Sequence, residues 1–210
     1  MNRREIDRFF RIFSRCYKGS CRILLTGAGA GTVMGRIRAT MDLDFAVKLK
    51  IPPKKRKKKE AQWVQFAQCV RETTERTGIA VQYAEDIDRW SSITYLDYEK
   101  HTTPYKRFGN VEVRLLAPEY WAIGKLTRYL DPDIRDLTEV LFKNRVPWQR
   151  ACRLWGKALR GSPKSTACEL FRRQIENFLA SRGKKIWGHH FKAQKAVAQF
   201  HRSANLTVFR

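Results

Sequence analysis

Two aspartates stand at alternate positions of an apolar run, Met41-Asp42-Leu43-Asp44-Phe45. Alternate residues of a strand share one face. A strand here would set the Asp42 and Asp44 carboxylates side by side, about 7 Å apart, with Leu43 and Phe45 turned into a core. Two carboxylates that close repel each other unless a cation lies between them, and Mg²⁺ bridging to substrate phosphates is the usual partner. Upstream, Gly27, Gly29 and Gly31 follow the strand-like Ile23-Leu24-Leu25. Glycines there let backbone come close to a ligand and turn N–H groups toward an anion. Together the two features suggest a nucleoside triphosphate. The common glycine fingerprints are absent: no Gly-Lys-Ser/Thr closes the loop, and the spacing and distant acid of a dinucleotide site are missing.

These residues resemble the DNA polymerase β-like nucleotidyltransferase superfamily, and within it the small bacterial enzymes of toxin–antitoxin and abortive-infection systems. That pattern runs from an apolar strand through a Gly-Gly or Gly-Ser turn and a short helix to Arg-Ala-Thr and the paired aspartates. Gly27-Ala28 stands at the turn, Gly35-Arg36-Ile37-Arg38-Ala39-Thr40 follows, and Asp42 and Asp44 complete it. Ala28 replaces the second Gly or Ser, which loses a hydroxyl but keeps a small residue and its N–H.

The resemblance extends over about residues 20–142. It implies a third carboxylate on a later strand, matched by Glu112 where Asp is commoner; a helix lysine directed at the triphosphate, matched by Lys125; and an Arg-Asp helix bracing the site, matched by Arg135 and Asp136. Gly27 and Ala28 amides, with Arg38 and Lys125, would then neutralise the β and γ phosphates. Each residue also has a plain structural reading. The aspartates can belong to a solvated strand face, Glu112 to a half-exposed Val111-Glu112-Val113-Arg114 strand, Lys125 to a helix surface, and Arg135 and Asp136 to surface ion pairs.

Charge is the second large signal. The 210 residues carry a net +23, and residues 143–210 hold sixteen Lys and Arg against Glu169 and Glu176. Such a field attracts polyanions, nucleic acid first among them, with binding steeply dependent on salt. It disfavours a cationic small-molecule substrate such as an aminoglycoside. Lys54-Lys55-Arg56-Lys57-Lys58-Lys59, after Pro52-Pro53, reads as a solvated loop sited to hold a phosphate backbone; by composition it also fits a nuclear localisation signal. Arg172 and Arg173 join it as candidate nucleic-acid contacts, on the outside of a bundle with Arg150, Arg153, Lys157 and Arg160. Trp148, Trp187, Phe191 and Phe200 are interleaved with this charge and serve either as core or as stacking platforms for bases.

No run of about 18 apolar residues is present to span a membrane, so no membrane partner is expected. The opening MNRREIDRFFRIFSR lacks a signal-peptide block and reads as an amphipathic helix with Ile6, Phe9, Phe10 and Phe13 on one face. Five scattered cysteines, Cys16, Cys21, Cys69, Cys152 and Cys168, fit neither a zinc site nor a disulfide framework, and point to reduced thiols in the cytoplasm. His189-His190 reads as surface.

Patterning predicts a helix over about 60–77 ending at Gly78, strands at 79–83 and 107–116, and helices near 147–160, 165–181 and 186–203. Trp155, Leu159, Leu170, Ile175, Phe178 and Leu179 would fill the C-terminal core. Residues 86–98 mix helix and strand signals. The expected architecture is α/β (α+β): a small mixed sheet flanked by helices over residues 1–142, then a basic helical region over 143–210. The expected function is Mg²⁺-dependent transfer of a nucleoside monophosphate from an NTP to RNA, a tRNA 3′ end included. Asp42, Asp44 and Glu112 would hold the metals. By resemblance the protein would be a toxin with an acidic antitoxin. The alternative is a nucleic-acid-binding protein with an inactive core.

Overall fold

The computed structural model describes residues 1–35, 38–51 and 56–206, and of residues 56–58 the helical backbone alone. Among these the fold is mixed α/β, as expected, with eight α-helices and one five-stranded sheet. The chain forms two compact units, Met1–Asp86 with Thr102–Leu116, and Ile87–His101 with Ala117–Arg210. This division differs from a boundary at residue 142: the helices after Leu116 associate with the basic helices that follow.

In the first unit, helix α1 (Arg3–Cys16) begins at a capping box in which the Asn2 side chain accepts from the Glu5 amide and Glu5 accepts from the Asn2 amide. Its 3.6-residue periodicity buries Ile6, Phe9, Phe10 and Phe13, the predicted face. The sheet contains β1 (Cys21–Leu25), β2 (Asp42–Leu49), β3 (Ala80–Ala84), β4 (Thr102–Phe108) and β5 (Val111–Leu116). Their order is β3-β2-β1-β5-β4. β1 is antiparallel to β2 and parallel to β5, β2 is parallel to β3, and β4 and β5 form an antiparallel pair. One face presents Ile23, Leu25, Leu43, Phe45, Val47, Val111 and Val113, all buried. Phe10, Phe45 and Phe66 meet there, Phe66 coming from α3 (Arg56–Thr77).

Arg56–Lys59 thus form the first turn of a helix where a loop was expected, as the good helix propensity of Lys and Arg allows. A disulfide joins Cys16 of α1 to Cys69 of α3, with Cα atoms 5.6 Å apart. This corrects the expectation of reduced thiols throughout: a separation of 53 residues carries no sequence signal, and only the packing of α1 on α3 brings the pair together. Cys21 and Cys152 are buried, and burial pushes both thiols up to about 12, so neither serves as a thiolate nucleophile.

The second unit packs α4 (Pro118–Arg128), α5 (Asp131–Lys143), α6 (Trp148–Gly161), α7 (Thr166–Trp187) and α8 (Ala193–Ala204). The unit also includes the segment of mixed signals, which opens with a short 3₁₀ turn at Ile87–Trp90 and ends where a second, Tyr98–His101, begins. Trp155, Ile175, Phe178, Leu179 and Phe200 are fully buried, and Leu159 nearly so. Leu170 is instead 55% exposed, because α7 buries Phe171 and Ile175 and turns Leu170 away. A Cβ at Gly156 would lie 2.6–2.7 Å from Ser203 Cβ and the Phe200 carbonyl, so glycine allows α8 to lie directly on α6. α7 runs to Trp187 and α8 starts at Ala193, later than predicted on both counts, with Gly188 at φ +86° making the turn between them.

Candidate functional site

β2 carries Asp42 and Asp44 on the sheet face opposite the Phe10–Phe45–Phe66 cluster, both half-buried, with Leu43 and Phe45 fully buried between and beyond them. The alternation predicted from the sequence therefore holds. Thr40 Oγ1 donates to Asp42 Oδ1 at 2.8 Å and fixes that carboxylate. The Thr26 amide donates to the Asp44 carbonyl at 2.9 Å, which places the end of β1 level with Asp44.

Immediately after Thr26, helix α2 (Gly27–Gly35) begins, so its first-turn amides start beside the aspartates. Gly27 has φ +55°, and a Cβ there would stand 2.0 Å from Asp44 Oδ2. The Asp44 carboxylate thus lies against the Gly27 backbone in space only glycine leaves open. Ala28 is buried in the same turn, and its carbonyl accepts from Thr32 Oγ1 at 3.1 Å. Arg38 is exposed, on the segment that leads into β2.

Glu112 shares the face but not the site. The ladders align Arg22 with both Lys48 and Glu112, and Leu24 with both Ala46 and Arg114. Glu112 is therefore level with Lys48, four residues along β2 from Asp44 and two strands across, about 16 Å away on ideal sheet spacings. The β5 residue level with Ala46 is Arg114. Around Glu112 are Lys50 at 3.0 Å, Arg114 at 2.9 Å and Arg22 at 3.6 Å. The Lys50 hydrogen bond foremost, with help from Arg114 and Arg22, holds the Glu112 carboxyl down to about 2 against the opposing effect of burial. Among the described residues no group of three or more His, Cys, Asp or Glu side chains is placed to hold a metal ion. A three-carboxylate centre from Asp42, Asp44 and Glu112 is not formed, because strand register separates the third acid from the pair. The Arg22–Lys50–Arg114 cluster was missed by the sequence reading, since register between distant strands leaves no local signal.

Lys125 lies in the second unit and is engaged there. Its ammonium donates to Asp133 Oδ1 and Asp136 Oδ2, each at 2.8 Å, with the three side chains 4%, 1% and 2% exposed. Arg128 forks onto Asp133 with two 2.7 Å bonds. Burial acts to raise the Asp133 pKa, and the bonds from Arg128 and Lys125 outweigh it and lower it. Lys125 and Asp136 are thus parts of a buried ion cluster, and Arg135 is exposed beside it. An i, i+8 and i, i+11 pairing across a turn between two helices was not legible as such from spacing.

The predicted nucleic-acid contacts divide. Lys54 and Lys55, and the side chains of Arg56, Lys57 and Lys58, lie outside the described residues. Lys59 pairs with Glu85 at 2.8 Å. Arg172 pairs with Glu169 and Glu176, and Arg173 with Glu169, so these two arginines are partly neutralised. No helix among the described residues is long and apolar enough to cross a membrane. No protein-family model, curated protein or solved structure matches this chain.

Proposed function

We propose that the protein is a Mg²⁺-dependent nucleotidyltransferase acting on nucleic acid, RNA in the first place, with Asp42 and Asp44 as its metal-binding pair. One observation carries the reading: two adjacent carboxylates share a sheet face, and one of them lies against Gly27 at the start of α2. That donor set fits Mg²⁺, which takes one or two protein carboxylates and completes its shell with waters and phosphate oxygens. Bound there, the ion would supply charge stabilisation at a transferring phosphoryl group. Asp42, held by Thr40, and Asp44, held at Gly27, would keep the ligand geometry fixed. The α2 amides would face phosphate oxygens. The net charge of +23 would retain a polyanionic acceptor.

A second reading, a nucleic-acid-binding protein with an inactive core, is favoured by the engagement of Glu112 with Lys50 and Arg114 and of Lys125 with Asp133 and Asp136. Purified protein incubated with Mg²⁺, each NTP labelled at the α-phosphate and total bacterial RNA separates the two. Label on a discrete RNA, lost in the Asp42→Ala, Asp44→Ala variant, is the expected outcome. Tight RNA binding without label in either protein would establish the second reading instead.

A further inference from the structure

We propose that the end of the second unit built by Trp148, Trp187 and Phe191 is a docking surface for single-stranded nucleic acid. The inference rests on the nucleic-acid part of the functional reading and is independent of the transfer chemistry.

The aromatic group is a preformed platform. Trp187, the last residue of α7, donates its indole N–H to the Val146 carbonyl at 2.7 Å, which fixes its ring plane. Its ring lies 4.9 Å from that of Phe191 at 30°, and Trp148 meets the same ring edge-on at 6.0 Å. Phe191 is held because it sits on bare helix backbone: a Cβ at Gly183 would fall 2.0 Å from its Cε1. Phe191 is buried, whereas Trp148 and Trp187 remain half-exposed. The second unit therefore has a rigid hydrophobic base with two indoles still partly open to solvent. Stacking on such rings is sequence-tolerant, because every base has a π-face.

The charge around the platform has one sign. Arg145, Lys184, Lys185 and Lys192 are exposed on the segments that bear the aromatics, and none of them pairs with an acid among the described residues. From Asn177 to the end of the sequence there is no Asp or Glu. The nearest acids in sequence on either side are already engaged, Glu139 by Lys143 and Glu176 by Arg172 and His201. His189 and His190, exposed on the turn with rings 3.8 Å apart, add polar N–H groups. Open indoles beside unpaired cations match a ligand with exposed bases and a phosphate backbone. A duplex hides its bases, and an acidic protein offers none. Arg172 and Arg173, with their glutamates, lack this combination.

The test uses the full chain and an oligouridylate carrying 4-thiouridine. Photocrosslinks should map to peptides containing Trp148 or Trp187. Lys184→Gln, Lys185→Gln, Lys192→Gln, all on exposed side chains, should weaken binding at least tenfold. It should also flatten the slope of log K against log salt by about 2, since each single-strand phosphate contact contributes about 0.7. The matched variant Arg8→Gln, Arg71→Gln, Arg76→Gln in the first unit should leave the slope near the wild-type value. Crosslinks confined to other segments, or equal losses from the two triple variants, would overturn the proposal. The Asp42→Ala, Asp44→Ala protein should crosslink as wild type. Crosslinking without transfer refutes only the transferase reading, and transfer without crosslinks at this surface refutes only the docking site.

Discussion

Replacing Lys125 by Met tests whether this lysine holds a fold together or holds a substrate. In the folded protein its ammonium is shared by Asp133 and Asp136 at 2.8 Å, with all three side chains at most 4% exposed. Methionine matches the length of the stem but leaves the two carboxylates without the cation between them, and Arg128 reaches Asp133 from its more exposed position. Removing one partner from a buried ion cluster costs about 3–5 kcal/mol, because the remaining charges stay desolvated. With a urea m-value of about 2 kcal/mol/M, typical of small domains, the unfolding midpoint should fall by about 2 M. Adding Asp136→Asn removes one stranded charge and should restore part of the loss, a non-additivity expected of residues in one network. Equilibrium urea unfolding followed by circular dichroism measures all three proteins. An unfolding free energy within about 0.5 kcal/mol of wild type for Lys125→Met, the range of ordinary surface substitutions, would refute the structural role and return Lys125 to the candidates for phosphate binding.

Gly27→Ala should cost about 2–3 kcal/mol, combining a left-handed backbone worth about 1–2 kcal/mol with the 2.0 Å approach to Asp44 Oδ2; in an Asp44→Ala background the cost should drop by about 1 kcal/mol, and an unchanged cost in denaturant melts would show that the carboxylate does not occupy that space. Glu112 has a folded pKa of about 2 against about 4.3 unfolded, so the stability it contributes is complete above about pH 4.5 and is lost as pH falls toward 2. Its partners Lys50 and Arg22 are about 40% exposed, so screening reduces the effect to about 1 kcal/mol. Glu112→Gln should therefore be less stable than wild type at pH 7 and converge with it near pH 2, and a difference constant over that range would contradict the assignment.

Several features follow from local chemistry and were readable without coordinates. Phe9, Phe10 and Phe13 recur at helical spacing and form the buried face of α1. Leu43 and Phe45 alternate with Asp42 and Asp44, so one residue type goes to the core and the other to the open face. Gly27, placed after an apolar strand, marked a position of close approach, although the group that approaches it is the Asp44 carboxylate and the sequence pointed to a ligand. Each of these signals spans a few residues, within which the 3.6- and 2-residue periods act directly.

What the tertiary structure decided is of another kind. The parallel pairing of β1 with β5 aligns Arg22 with Glu112 and so delivers that acid to a basic cluster instead of to the aspartate pair. The packing of α4 on α5 buries Lys125 between two aspartates. Cys16 meets Cys69 across 53 residues, and Gly183 admits Phe191 beneath Trp187. The sequence alone determined which faces are apolar and where charge accumulates, because periodicity and composition act locally. Which charges meet, and which acids stand together, depends on strand register and helix docking, set by the packing of residues far apart in the chain.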